Sequence, residues 1–181
     1  MTERDEGERL QRKEKLVIIQ SRNKAKNRRT DINGLLSAEG HSRLSFIGRD
    51  ETFSLRSKFE DMHVLSELNE ISDTTEKSAA LLDCFSSFLS NLDEVEGVCF
   101  AYDWRNIGAF HIDTKSVFET LSALMLVLED ELDYCSHDFT GAFQLNGDRT
   151  GSGDRLNSLS VKILGSRWCE IWRESKLQQY A

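Results

Sequence analysis

The chain has 181 residues, 39% hydrophobic and 30% charged, with a formal net charge of -8. That length supports one domain with a real core, and 10 Phe, 3 Tyr and 3 Trp exclude a wholly disordered chain. No apolar run approaches the roughly 18 residues of a membrane helix, and the charged start "MTERDEGERLQRKEK" lacks the apolar segment of a signal peptide, so an intracellular, cytoplasmic protein is expected.

The charge is divided along the chain. Residues 1–60 carry 14 Lys/Arg against 10 Asp/Glu, residues 61–133 carry 3 against 16, and residues 134–181 carry 6 against 5. Such asymmetry points to charged partners.

Residues 1–30 set Leu10, Val17 and Ile18 at helical spacing with Leu16 and Ile19 beside them. This apolar face is too narrow to dock firmly, which predicts a partly disordered or conditionally helical basic arm. Residues 31–54 are turn-rich, with "RLSFI" as a strand candidate. The reading is therefore an arm and connector over 1–54 and a single α+β domain over 55–181.

Within the domain, Leu55, Phe59, Met62, Leu65 and Leu68 step by three or four and predict a helix. A second helix over 75–92 follows from Leu81, Leu82, Phe85, Phe88, Leu89 and Leu92, with Asp73 and Glu76 placed to cap it. "GVCFAYDW" and "IGAFHID" alternate in polarity and predict a β-hairpin turning at Arg105-Asn106.

Val117, Leu121, Leu124, Met125, Leu128 and Leu132 return to the helical period behind Asp113 or Thr114 as cap, so a long helix over 114–133 is expected to lie across the sheet. "TGAFQLN" (140–146) and "LSVKIL" (159–164) read as two more strands, and Trp168, Ile171 and Trp172 as a closing helix. The expected fold is α+β: a mostly antiparallel four-stranded sheet packed against helices, in the order α-α-β-β-α-β-β-α, preceded by the basic N-terminal arm.

Few residues are arranged for chemistry. "DYCSHD" gathers Asp133, Cys135, His137 and Asp138, yet Cys-x-His does not match zinc-ligand spacing. It reads as a helix C-terminus with His137 near the last carbonyls. Cys84, Cys99, Cys135 and Cys169 contain no Cys-x-x-Cys pair, which suits buried reduced thiols.

"GDRTGSGDR" has the glycines and arginines of a phosphate cradle but not its Gly-Lys-Ser/Thr ending, so it is read as a hairpin loop. "GAF" at 108–110 and 141–143 needs only glycines that allow close approach. His41, His63, His111 and His137 are scattered, and no G-x-S-x-G elbow exposes a serine. No metal and no cofactor is expected.

"VFETLSALMLVLEDELDY", "TGAFQLN" and "LSVKIL" together resemble the helix-strand-strand portion of the cap-binding translation initiation factors. That family stacks a methylated base between two tryptophans, whereas here only Trp104 is placed as one of them and Arg105 stands where the following acid would be. No function is carried over.

The leading expectation is a small non-catalytic binding or inhibitor protein, of the immunity or antitoxin kind, whose acidic face (Glu129, Asp130, Glu131, Asp133) meets a basic protein partner. The alternative is a nucleic-acid-associated accessory protein in which Lys13, Lys15, Arg22, Lys24, Lys26, Arg28 and Arg29 contact RNA or DNA phosphates through counterion release. The same arm could instead be a solvated tail or fold back onto the body's own acids. An enzyme with a site near Asp133–Asp138 ranks third. No membrane partner is expected.

Overall fold

A computed structural model of the chain describes residues 3–38, 44–62, 67–101, 103–149 and 155–179, apart from the side chains of 3–14, 18 and 179. Its elements are α1 (Glu3–Ala38), α2 (Arg49–Asp61), β1 (Glu67–Ser72), α3 (Thr75–Asn91), β2 (Glu96–Phe100), α4 (Trp104–Ile107), β3 (Ala109–Asp113), α5 (Thr114–Val127), β4 (Glu131–Ser136), β5 (Ala142–Asp148), β6 (Ser158–Leu164) and α6 (Ser166–Gln179).

The strands form one antiparallel sheet in the order β1-β6-β5-β4-β2-β3. Both faces carry a core. On one face α3, α5, α6 and the C-terminal part of α1 cover Cys99, Phe110, Tyr134, Phe143 and Val161. On the other, α2 brings Phe59 and Met62 onto Val98, Phe100, Cys135 and Ala142.

Of the two expected helix caps, that of α3 is corrected and that of α5 is found. Thr74, not Asp73, caps α3 by accepting from Lys77 N at 3.4 Å, while Asp73 pairs with Lys77 Nζ at 3.1 Å. That exposed lysine lowers the pKa of Asp73. Asp113 caps α5, accepting from Ser116 N at 2.7 Å. Leu121, Leu124 and Leu128 of the α5 stripe are buried as predicted.

Two strands correct the expected four-stranded sheet and its element order. "ELNEIS" becomes β1 without an apolar alternation to mark it, since Glu70 and Ser72 share the side of Leu68 and Ile71 is exposed; pairing with β6 over Glu67–Ser72 satisfies its backbone. "ELDYCS" becomes β4 rather than the end of the 114–133 helix. Glu129 and Asp130 both take left-handed backbone conformations (φ 59° and 63°), which ends α5, and Leu132 and Tyr134 then alternate with Glu131 and Asp133.

The hairpin strands β2 and β3 do pair, in the register Val98 to His111, but through α4 and not a tight turn. Gly108 ends that helix at φ 94°, a conformation other residues rarely adopt. The second "GAF" glycine has a separate reason. A Cβ on Gly141 would sit 2.2 Å from the Trp168 ring.

α1 is a single helix of 36 residues. Its C-terminal part belongs to the core: Ile32 and Leu36 are fully buried and Ala25 nearly so. Arg29 Nε donates to Ile107 O at 2.6 Å, and Arg28 pairs with Glu129 across the α5–β4 turn. Among the described residues no helix is long and apolar enough to cross a membrane.

Candidate interaction surfaces

The four acids Glu129, Asp130, Glu131 and Asp133 do not present one face. Glu129 is engaged by Arg28. Asp130 is 8% exposed and takes Arg149 Nε at 2.6 Å on one oxygen, while its Oδ1 is buried without a hydrogen-bond partner among the described residues. Strand alternation turns Glu131 and Asp133 toward the α2 side of the sheet. Burial, and then the neighbouring Asp133, raise the pKa of Glu131.

Asp133 ties α2 to the sheet. Its Oδ2 accepts from Arg56 at 2.5 Å and its Oδ1 from Gln144 Nε2 at 3.0 Å. The Arg56 guanidinium lies over Phe59 at 4.7 Å, Phe100 at 5.3 Å and Trp104 at 5.7 Å. Trp104 is thus occupied by the chain's own cation, a desolvated contact between a guanidinium and π faces.

The remaining groups of "DYCSHD" diverge. Cys135 is buried beneath α2, and desolvation pushes its thiol up to about 12. Asp138 accepts from the Ser136 and Thr140 hydroxyls at 2.7 and 2.9 Å, and the Ser136 bond leads in lowering its pKa. His137 lies beside His111, ring centres 6.1 Å apart, and not at a helix C-terminus. Among the described residues no group of three or more His, Cys, Asp or Glu is placed to hold a metal ion. His41 and His63 lie outside the described residues.

Cys84, Cys99 and Cys169 are also buried and unbridged, and desolvation raises all three thiols, Cys99 most strongly. Thiols kept protonated in this way are poor nucleophiles.

The basic residues of α1 divide into two sets. Arg28 and Arg29 are half-buried against the body, whereas Lys15, Arg22, Lys24 and Lys26 are exposed. The Lys13 side chain lies outside the described residues.

Beyond α2, a polar row crosses the sheet through Asp133, Gln144, Lys162 and Asn69, with Glu131, Asn146, Ser160 and Ile71 in the next. Lys162 pairs with Glu67 at 3.1 Å. The acids and bases here largely answer one another, so this face carries little net charge.

A different surface combines apolar area with acid. Two adjoining clefts of about 590 and 300 Å³ lie along α3 and α5 and share Leu82 and Ser122. Ala79, Leu82, Met125 and Leu126 line the larger and Phe118 the smaller. Leu126 is 64% exposed and Phe118 40%. Acids rim this floor: Glu76 on α3 at the larger cleft, Asp83 and Glu119 at the smaller.

Arg149 and Arg155 stand at the end nearest β5 and β6. These are the arginines of "GDRTGSGDR", whose residues 150–154 lie outside the described residues.

This cleft was missed from sequence because Leu82 reads as part of the α3 core stripe. The usable signal was Phe118 and Leu126, two large apolar residues off the α5 stripe. No family model, no curated protein and no solved structure matches the chain.

Proposed function

We propose that this is a non-catalytic binding protein, of the inhibitor kind, that engages a basic protein partner through its acidic body. The observation that carries the reading is the α3–α5 cleft. Its apolar floor gives a partner area to bury, and Glu76, Asp83 and Glu119 supply a field that favours positive charge at the end away from Arg155 and from Arg149, which is paired with Asp130. A helix presenting apolar residues at helical spacing with Lys or Arg beside them has the matching chemistry. Of the acids first singled out, Glu129, Asp130 and Asp133 are held in ion pairs within the fold, which moves the reading toward the cleft.

One observation favours a second reading. Lys15, Arg22, Lys24 and Lys26 are exposed on α1 and can meet RNA or DNA phosphates.

Affinity purification of three forms separates the two. The parent chain and Arg22→Ala/Lys24→Ala/Lys26→Ala should retain a basic protein that Glu76→Lys/Asp83→Lys/Glu119→Lys loses. Nuclease-sensitive material, lost only in the α1 variant, supports the second reading instead.

A further inference from the structure

One turn of α1 is built unlike the rest of that helix. "LVII" at 16–19 is four apolar residues in succession, so the helix is apolar on all sides there, a pattern that belongs to buried segments. Yet Leu16 is 57% exposed, Val17 64% and Ile19 52%. Among the described side chains of α1, which runs unbroken from Glu3 to Ala38, those in the core begin at Ala25. Leu16 lies nine residues before Ala25, about 14 Å along the axis at the usual helical rise.

We infer that this turn docks in the α3–α5 cleft of a second copy of the chain. The inference rests on the reading that the cleft receives a basic, partly apolar segment.

Charge selects the occupant. The exposed turn is flanked by Lys15 on one side and by Arg22, Lys24 and Lys26 on the other; the cleft is rimmed by Glu76, Asp83 and Glu119, with Arg149, paired to Asp130, and Arg155 at its far end, so the basic flank would lie at the Asp83–Glu119 end. The apolar parts also correspond: Leu16, Val17 and Ile19 would cover Leu82, Leu126 and Phe118, of which Leu126 and Phe118 are exposed.

Every copy carries both the turn and the cleft, so two copies related by a two-fold axis make the contact twice, a closed arrangement that leaves neither unsatisfied. Exchange of this kind would also keep the cleft occupied until a stronger basic partner displaces the arm.

Light scattering of the full chain across roughly 1–100 µM tests the proposal, since an equilibrium dimer dissociates on dilution. The parent should be a dimer. Val17→Glu/Ile19→Glu and, separately, Leu126→Glu should each raise the dimer dissociation constant at least about tenfold, a change of about 1.4 kcal/mol. All three positions are exposed, so the fold should tolerate the changes.

Mixing the two variants should restore association, because the intact cleft of one meets the intact turn of the other. A monomeric parent overturns the inference, as does a dimer indifferent to Leu126→Glu or the absence of mixed association. A monomeric parent whose basic-protein capture is still abolished by Leu126→Glu sinks the self-association and leaves the proposed function standing. A dimer of the predicted kind with no such capture does the reverse.

Discussion

Ile32→Ala tests whether α1 belongs to the core or merely precedes it. Ile32 is fully buried and sits in the same cluster as Leu36, Leu124 and Phe110. The substitution removes three carbons, a transfer term of about 2.4 kcal/mol at about 0.8 kcal/mol for each buried methylene. A cavity term adds to it, so the expected loss is about 3 kcal/mol within the usual range of about 2–5. For a chain of this size that is a fall in melting temperature of about 6–12 °C.

Asn27→Ala, on the exposed side of the same helix, should change stability by less than about 0.5 kcal/mol. Urea titration followed by circular dichroism, at one low protein concentration for all forms, reads both. If Ile32→Ala unfolds with the parent, the packing of α1 described above is wrong and residues 55–181 stand as a unit without it.

Asp133→Asn should cost about 1–3 kcal/mol, because it removes the charge facing Arg56 at a site where the two side chains are 15% and 19% exposed, while Glu60 remains as a second partner at 3.2 Å; denaturant titration measures it, and no loss would mean that α2 is held by its apolar contacts alone. Gly141→Ala should destabilise strongly or block folding, since its new carbon meets the Trp168 ring and the backbone around Thr140 and Gly165 is already close; an unchanged melting curve contradicts that packing.

The buried thiols predict a pH dependence. Their folded pKa values are raised, Cys135 to about 12 from an ordinary 9.0, so the stabilisation is complete below the unfolded-state pKa and is lost as pH rises toward the folded value. The melting temperature should therefore decline above about pH 9, less steeply in Cys135→Ala, and a thiol reagent at pH 8 should label the native chain only as fast as it opens. Rapid labelling of the native chain would show a thiol more accessible than the packing allows.

The elements legible in the sequence were those whose periodic pattern is unopposed. α3 and α5 carry long stripes and side-chain caps, and β5 and β6 alternate between glycine-bearing loops. β1 was hidden because Leu68 continues the helical step from Leu65 and no apolar alternation follows it, and β4 because Leu132 can be counted either with Leu128 in the helical period or with Tyr134 in the strand period. Only strand pairing, a long-range contact, decides between the two.

The docking of α1 was obscured for a related reason. Ala25 and Ile32 are separated by Lys26, Arg28, Arg29 and Asp31, and Asn33-Gly34 between Ile32 and Leu36 reads as a turn, so the buried face is masked in the sequence although Ile32 and Leu36 are fully buried. Of the candidate site, the acidity of the body was visible, but which carboxylates are held in ion pairs depended on Arg28, Arg56 and Arg149 reaching across the fold.

Hydrogen–deuterium exchange on the chain bound to its co-purified basic partner tests the proposed cleft most directly. The account predicts slowed exchange at amides of α3 and α5 that line the cleft, around Glu76–Asp83 and Phe118–Leu126, with the polar sheet face around Gln144 and Lys162 unchanged. Slowing confined to residues 15–30 of α1, or to that sheet face, would contradict it.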